Sequence, residues 1–165
     1  MKNIILIGMS GCGKSVVGAR VAELLDKQFF DADTEIEREQ SMKISEIFEK
    51  FGEAEFRRLE REKTAELAQL ENVVISTGGG VVLFSENMSA LKKNGKIIFL
   101  DRSVDDIMST LDNSNRPLLK DPARLQKLYD DRIELYRKYA DITVENIGAI
   151  EEIAVKIANE WRNKL

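Results

Sequence analysis

The sequence predicts an α/β domain in which a parallel sheet of five strands lies between layers of helices. Short apolar runs alternate five times with stretches of helical periodicity, which is the pattern of a parallel sheet with crossover helices. Two of the apolar runs lead directly into glycine-rich turns, at residues 8–15 and 77–80. Because parallel sheets bind ligands at the carboxyl ends of their strands, both turns are candidate sites.

The first third of the chain predicts two strands and the helix between them. Residues 3–7 form a short apolar run, typical of a central strand covered on both faces. Residues 15–27 carry valines and leucines at helical spacing, which predicts a helix packed on the sheet. Residues 28–30 lead into a second strand that ends at two carboxylates, Asp31 and Asp33. Since alternate residues of a strand share a face, we expect these carboxylates to project together.

Residues 34–70 contain no proline and predict helices with a break near Gly52. Adjacent arginines, Arg57 and Arg58, lie about 100° apart around a helix, so we expect at most one of them to face a pocket. The alternative is that both arginines pair with neighbouring glutamates at the surface.

A third strand over residues 73–75 leads into three consecutive glycines, Gly78, Gly79 and Gly80. Such a run is costly in conformational entropy and indicates that another group approaches the backbone closely. A helix over residues 85–93 and a fourth strand over residues 96–100 are predicted next.

The last third predicts a lid followed by the remaining elements of the sheet. Ser103 is placed to cap a helix through Leu111, and turn-forming residues then end it. This polar stretch predicts a mobile lid over about residues 112–124. Three elements complete the chain: a helix from Asp121-Pro122 to about residue 138, a strand over residues 142–144, and an amphipathic helix over residues 150–161.

The composition is that of one globular domain over residues 1–165. The 165 residues are 43% apolar and 33% charged, which allows a substantial core but leaves no room for a second domain. A net charge of -4 argues against a broad surface for nucleic acid. The chain has no stretch that predicts a membrane span or a signal peptide. We therefore expect a cytoplasmic monomer with no nucleic-acid or membrane partner.

Histidine is absent, and Cys12 is the single cysteine. Ser-His-Asp and Cys-His catalysis are therefore excluded, a zinc site is disfavoured, and no internal disulfide can form. A reducing compartment is the natural expectation. Cys12 is either a redox-sensitive thiol or a small residue that contributes only its backbone, and we favour the second alternative.

The segment Gly8-Met9-Ser10-Gly11-Cys12-Gly13-Lys14-Ser15 has the spacing G-x-x-x-x-G-K-[ST] between a strand and a helix. Its glycines let successive N–H groups converge on an anion at the positive end of the following helix. Lys14 can reach the outer phosphates, and the Ser15 hydroxyl is placed to bind Mg²⁺. This context disfavours a turn that binds nothing and predicts a P-loop kinase fold, an α/β/α sandwich.

Other residues indicate how the nucleotide is used. The Asn-Lys-x-Asp guanine reader of GTPases is absent, and Asp101 is followed by Arg102 rather than by the acidic residue typical of ATPase machines. Asp33, Arg57, the triple glycine and Arg137 instead predict an acceptor pocket. Arginines and glycine N–H groups suit a carboxylate, and an aspartate suits hydroxyl groups. The predicted acceptor is a hydroxylated acid, and the predicted activity is that of a small-molecule kinase.

Six segments between residues 4 and about 140 closely resemble shikimate kinase, in the order of that family. They are the phosphate-binding segment, Phe30-Asp31-Ala32-Asp33, Glu55-Phe56-Arg57-Arg58, Thr77-Gly78-Gly79-Gly80, Arg116-Pro117-Leu118-Leu119 and Leu135-Tyr136-Arg137. The first segment alone also fits a gluconate kinase, but the others favour shikimate kinase. The resemblance implies transfer of the γ-phosphoryl group of ATP to the 3-hydroxyl of shikimate, giving ADP and shikimate 3-phosphate on the route to chorismate and the aromatic amino acids.

The resemblance also implies a role for each candidate residue. The implied catalytic residues are Lys14, Asp33 and Arg116. The implied ATP-binding residues are Gly11, Cys12, Gly13, Lys14, Ser15, Val16 and Arg116. The implied shikimate-binding residues are Asp33, Arg57, Gly78, Gly79, Gly80 and Arg137, with a shikimate-binding helical region over about residues 34–61. Mg²⁺ would be held by Ser15 and, through its water shell, by Asp31.

Two segments depart from the pattern of the family, and both lie on the side of the nucleotide base. They are Met108-Ser109-Thr110 and Glu145-Asn146-Ile147-Gly148, where the family often has an arginine and a basic, proline-containing loop. Stacking of arginine on an aromatic base contributes about 0.5 to 2 kcal/mol, so weaker or less selective ATP binding is expected. A regulator that binds nucleotide without turning over shikimate is the alternative from another class.

Overall fold

The computed structural model describes residues 2–110 and 121–164. Within these residues, five parallel strands form one sheet in the order β2-β3-β1-β4-β5. The strands are β1 Asn3–Ile7, β2 Gln28–Asp31, β3 Val73–Ser76, β4 Gly95–Asp101 and β5 Ile142–Glu145. The predicted number of strands, their parallel direction and the central position of β1 are confirmed.

Helices connect the strands and cover the sheet. They are α1 Lys14–Leu25, α2 Ala32–Gln40, α3 Ile44–Phe51, α4 Glu53–Leu67, α5 Ser85–Lys93, α6 Val104–Thr110, α7 Pro122–Tyr139 and α8 Ile150–Lys164, with a 3₁₀ turn at Val81–Leu83. Among the described residues, none of these helices is long and apolar enough to cross a membrane.

Strand β1 forms the centre of the core. Its residues from Ile4 to Ile7 are fully buried, because the strand has sheet neighbours on both edges and helices on both faces. Ile5 pairs with Ile75 of β3 on one side and with Ile97 of β4 on the other. Truncating such an isoleucine to alanine typically costs about 2–5 kcal/mol of stability. The core therefore holds the carboxyl end of β1 firmly in place.

The strand order changes direction at β1: β3 lies beside it on one side of the sheet, and β4 lies beside it on the other. Ligands bind at such a switch point in open α/β sheets. The glycine-rich segments after β1 and β3 both lie there. Thr77, the first residue after β3, hydrogen-bonds to the end of β1 and so fixes the starts of the two segments side by side. Its backbone N–H (3.1 Å) and its hydroxyl (2.8 Å) both donate to the Leu6 carbonyl oxygen.

Helices α2, α3 and α4 form a small cluster beside the sheet, with a core of its own. Ile36, Ile47 and Phe56 are buried in it, and the ring centres of Phe48 and Phe56 lie 4.8 Å apart. The break predicted near Gly52 is confirmed, since this glycine separates α3 from α4 with a φ of 85°. The region suggested for shikimate binding, residues 34–61, lies within this cluster.

One expectation about the second strand is wrong. Strand β2 ends at Asp31, and Asp33 already belongs to the first turn of α2, so the two carboxylates do not alternate along a strand. The physical reason is capping, because the Asp31 side chain accepts from the Thr34 backbone N–H at 2.9 Å and starts the helix there.

The lid prediction divides at residue 121. Residues 112–120, including Arg116, lie outside the described residues. Residues 121–124 belong to the start of α7, where Asp121 caps the Ala123 N–H at 3.0 Å and Pro122 occupies the first turn. The helix start predicted at Asp121-Pro122 is confirmed.

Candidate active site

The segment Gly8–Ser15, called the phosphate loop below, follows β1 and opens α1. Gly11 and Gly13 have φ angles of 79° and 90°, a region in which residues with a side chain are strained. Gly8 has no room for a side chain, since a Cβ atom there would lie 2.6 Å from the Leu100 carbonyl oxygen. These glycines give the loop the curvature that the sequence pattern predicts.

The Lys14 ammonium group folds back over this loop. It is buried, and its Nζ donates to the carbonyl oxygens of Gly8 and Met9, each at 2.8 Å. Cys12 is also fully buried, with its Sγ 3.7 Å from the Lys14 Nζ. Burial denies an oxidant access to this thiol, which favours a backbone role for Cys12. Val16, which follows the phosphate loop and was also predicted to bind ATP, is 55% exposed in the first turn of α1.

Ser15 and Asp31 meet at the edge of the phosphate loop. The Ser15 hydroxyl donates to the Asp31 carboxylate, whose other oxygen caps α2. Hydroxyl and carboxylate oxygens are ligands that Mg²⁺ accepts, and nucleotide-bound Mg²⁺ usually takes only one or two protein ligands besides phosphates and water. The hydroxyl and carboxylate donors at Ser15 and Asp31 therefore fit the predicted ion. Elsewhere in the described residues there is no cluster of three or more acidic residues, histidines or cysteines that could hold a metal.

The triple glycine lies against side chains of the site itself. A Cβ atom at Gly78 would lie 2.9 Å from carboxylate oxygens of both Asp33 and Glu60. A Cβ atom at Gly79 would lie 2.6 Å from the Ser10 hydroxyl, and one at Gly80 would overlap the Arg57 guanidinium group. The close approach that the three glycines predicted is therefore made by protein groups. The contact between Ser10 and Gly79 also joins the phosphate loop to the triple glycine.

Arg57 and Glu60 form a buried pair on α4. Arg57 is 8% exposed and Glu60 is 2% exposed, and Arg57 Nη1 donates to Glu60 Oε1 at 2.8 Å. Burial raises the pKa of the Glu60 carboxyl, and the Arg57 guanidinium opposes that rise. Arg57 Nε and Glu60 Oε2 are both buried without a hydrogen-bond partner among the described residues. Such a pair is suited to receive a polar ligand.

The neighbouring Arg58 lies on the outer side of the same helix. It pairs with Glu55 and Glu62, each at 2.6 Å, and is half exposed. The prediction that at most one of the two arginines faces a pocket is confirmed, and Arg57 is that arginine.

On α7 the structure brings Arg132 to the triple glycine. Arg132 Nη1 would lie 3.5 Å from a Cβ atom at Gly79, and the Tyr136 hydroxyl donates to the Gly79 carbonyl oxygen at 2.5 Å. Burial raises the pKa of the Tyr136 hydroxyl, and the nearby Arg132 charge opposes that rise. Tyr136 is held in place by stacking on Phe99, with ring centres 5.1 Å apart.

Arg137, the arginine chosen from the sequence, is not brought to this group. Its side chain is 55% exposed, and its Nη1 pairs with Glu134 at 3.2 Å. Helical geometry gives the reason, because positions 132 and 136 share a helix face whereas positions 132 and 137 lie about 140° apart. The missed signal was the spacing of four between Arg132 and the buried Tyr136. Asp33, Arg57, Glu60, Arg132 and the triple glycine are called the acceptor cup below.

Known proteins resemble this chain over most of its length. A family model described as shikimate kinase matches residues 10–162 of this chain. A shikimate kinase of Clostridium botulinum is 46% identical over 159 residues, which cover 95% of this chain and 96% of that protein. One from Sulfurihydrogenibium is 44% identical over 164 residues, which cover 95% of this chain and 98% of the relative.

Solved structures give the same result. The shikimate kinase of Acinetobacter baumannii in complex with shikimate has a TM-score of 0.93 and 38% identity, and the match covers 100% of this chain and 96% of that one. A gluconokinase of Sinorhizobium meliloti, at 13% identity and a TM-score of 0.54, shares the fold alone. The extent of these matches, from the phosphate loop to α8, shows that the chain belongs to the shikimate kinase family.

Proposed function

We propose that this protein transfers the γ-phosphoryl group of ATP to the 3-hydroxyl of shikimate. The observation that carries the proposal is the contact between Ser10 and Gly79, which puts a phosphate-binding loop directly beside a cup of arginines and carboxylates. A donor phosphate over one loop would then lie next to an acceptor held by the other. Phosphoryl transfer depends mainly on such positioning and on charge stabilisation.

In the acceptor cup, Arg57 and Arg132 bind the carboxylate of the acceptor. Both guanidinium groups adjoin the triple glycine, Arg57 at Gly80 and Arg132 at Gly79, so glycine N–H groups can complete the site. Glu60 orients Arg57 through the 2.8 Å hydrogen bond. In this proposal Arg132 takes the role that the sequence suggested for Arg137.

Asp33 binds the hydroxyl groups of the acceptor. It lies beside Gly78, where a Cβ atom would be 2.9 Å from carboxylate oxygens of both Asp33 and Glu60. The 3-hydroxyl oxygen forms a bond to the γ-phosphorus while the bond from that phosphorus to the β–γ bridging oxygen breaks and ADP leaves. The hydroxyl proton passes to the Asp33 carboxylate.

At the donor end, the N–H groups of the phosphate loop bind the polyphosphate, and Lys14 neutralises its β and γ groups. Lys14 is already folded over the loop by its hydrogen bonds to Gly8 and Met9, so it has to exchange these partners for phosphate oxygens. Mg²⁺ would be held by Ser15 and Asp31, and it supplies charge neutralisation to the phosphates when bound. Arg116 would stabilise the transferring group from the lid.

A coupled assay of ADP release tests the proposal with three reactions, containing shikimate, gluconate or no acceptor. We expect ADP release only in the reaction that contains shikimate. We expect this release to be lost in a Lys14→Met variant, which controls for kinases of the expression host. Hydrolysis of ATP at one rate in all three reactions would instead indicate a nucleotide-binding regulator. Turnover with gluconate but not with shikimate would reject the acceptor.

Two further expectations accompany the proposed function. A reaction that consumes ATP supports the predicted cytoplasmic location. The monomeric state stays a prediction, and sedimentation of the purified protein checks it.

A further inference from the structure

Asn146 lies outside the acceptor cup, yet its side chain reaches the phosphate loop. It is the first residue after β5, and its backbone N–H donates to the Asp101 carbonyl oxygen at 2.8 Å, at the end of β4. Its side-chain amide donates to the Cys12 carbonyl oxygen, although the two residues are 134 positions apart. A Cβ atom at Gly13 would lie 3.3 Å from the same amide nitrogen, so the side chain packs closely on this glycine.

This contact determines the direction of one peptide group of the loop. The peptide bond between Cys12 and Gly13 is trans, so its carbonyl oxygen and its N–H point to opposite sides. An amide that holds the Cys12 oxygen on one side therefore turns the Gly13 N–H to the other. That N–H is one of the groups expected to bind phosphate.

The peptide group would be free to rotate without such a contact. Glycines flank Cys12 on both sides, and Gly11 and Gly13 have φ angles of 79° and 90°. The preceding peptide is already held, because the Cys12 N–H donates to the Met9 carbonyl oxygen at 3.2 Å. The Gly13 carbonyl oxygen is also engaged, as it accepts from the Val17 N–H at 3.0 Å in α1. Asn146 holds the peptide between these two fixed points.

We propose that Asn146 is a positioning residue that pre-orients the Cys12–Gly13 peptide of the phosphate loop so that the Gly13 N–H faces the polyphosphate. A loop ordered before binding loses less conformational entropy when the nucleotide arrives, and so binds it more tightly. The inference rests on the proposed function in one respect, since it requires that this loop binds the phosphates of ATP.

Two variants remove the contact in different ways. Asn146→Ala deletes the donor, and Asn146→Asp keeps the size of the side chain but sets an oxygen against the Cys12 oxygen. Thr143→Ala, at an exposed position of β5, the strand that precedes Asn146, is the matched control. The probes are Mg-ADP and inorganic tripolyphosphate, titrated calorimetrically, with shikimate affinity and the melting temperature measured in parallel.

The loss of one hydrogen bond predicts that Asn146→Ala weakens both Mg-ADP and tripolyphosphate by about three- to tenfold, and Asn146→Asp weakens them more. Shikimate affinity is expected to stay within about twofold of the parent, as is every affinity of Thr143→Ala. Tripolyphosphate has no base, so a loss seen with both probes assigns the effect to the phosphate loop.

Three results in the variants would overturn the inference. The first is parental tripolyphosphate affinity in both Asn146 variants, and the second is a loss confined to Mg-ADP, which would make Asn146 a contact to the nucleoside. The third is an equal loss of shikimate affinity together with a lower melting temperature, which would make the residue merely structural. If the parent protein itself binds neither probe, the proposed function fails along with the inference.

Discussion

The phosphate loop and the acceptor cup touch at Ser10 and Gly79, but they are built in different ways. The loop consists of eight consecutive residues, and most of its shape comes from its own glycines and from hydrogen bonds within it. The cup takes its side chains from α2, α4 and α7 and its backbone from the turn after β3. A motif therefore suffices to recognise the first site, whereas the second depends on how distant elements pack.

The largest effect is expected from Arg116, to which the resemblance assigns stabilisation of the phosphoryl group as it passes from one site to the other. We expect Arg116→Ala to lower kcat by roughly 10³ or more, because an arginine that acts on the transferring group contributes mainly in the transition state. Steady-state kinetics measure this, with shikimate affinity as the control. Near-normal turnover would exclude Arg116 from the mechanism.

Arg132 and Arg137 give the sharpest test of the assembled cup. Arg132→Ala should weaken shikimate binding by about 1.5 to 3 kcal/mol, as expected for a lost charge-assisted hydrogen bond, which is roughly 10- to 150-fold in KM. Arg137→Ala removes the same charge from the exposed face of α7 and should leave KM within about twofold. The reverse result would restore the arginine chosen from the sequence.

Arg57 tests the buried part of the cup. Arg57→Ala should raise the KM for shikimate by a similar factor, corresponding to about 1.5 to 3 kcal/mol. Because this variant also leaves Glu60 buried without its partner, Arg57→Lys is needed as a second variant that keeps the charge but loses the planar fork. An unchanged KM for shikimate in both variants would mean that Arg57 is misassigned.

The smallest effect concerns Glu60 and the pH dependence of stability. Burial raises the pKa of this carboxyl in the folded protein, so its protonated form is favoured by folding. Its contribution to stability is fully present below the pKa of the unfolded chain and is lost as the pH rises through the folded pKa. Glu60→Gln stays uncharged and escapes that loss.

We therefore expect Glu60→Gln to melt at a temperature equal to or above that of the parent at pH 7, with the difference shrinking toward pH 4. Melting curves across this range measure it, and Glu62→Gln on the exposed face of α4 is the control. A variant whose deficit grows with rising pH would contradict the assigned direction of the pKa shift. The KM for shikimate should increase, since Arg57 loses its charged partner.

Some site features could be predicted because they depend on neighbours in the chain. The glycine spacing, Lys14 and Ser15 identified the phosphate loop, and the triple glycine marked a close approach to the backbone. The approach is made by Asp33, Glu60, Ser10 and Arg57 themselves. Helical spacing allowed at most one of Arg57 and Arg58 to face a pocket, the sequence favoured Arg57, and Arg57 is the one that is buried against Glu60.

The place of Asp33 was predicted wrongly, because a strand signal and a cap signal compete at the same residues. Asp33 was expected on a strand, but the Thr34 backbone N–H donates to the Asp31 carboxylate and a helix starts before Asp33. The result separates the two carboxylates, with Asp31 at Ser15 of the phosphate loop and Asp33 at the triple glycine. The resemblance implied different roles for the two carboxylates, and those roles stay a prediction.

The sequence by itself determined the parallel sheet, the central place of β1 and the position of the phosphate loop, since hydrophobic periodicity and glycine spacing are local properties. Only the tertiary structure decided that Arg132 rather than Arg137 lies at Gly79 and that Asn146 holds Cys12. The rotation of a helix about its axis and a contact across 134 positions are set by the packing of the whole core, which no local pattern records.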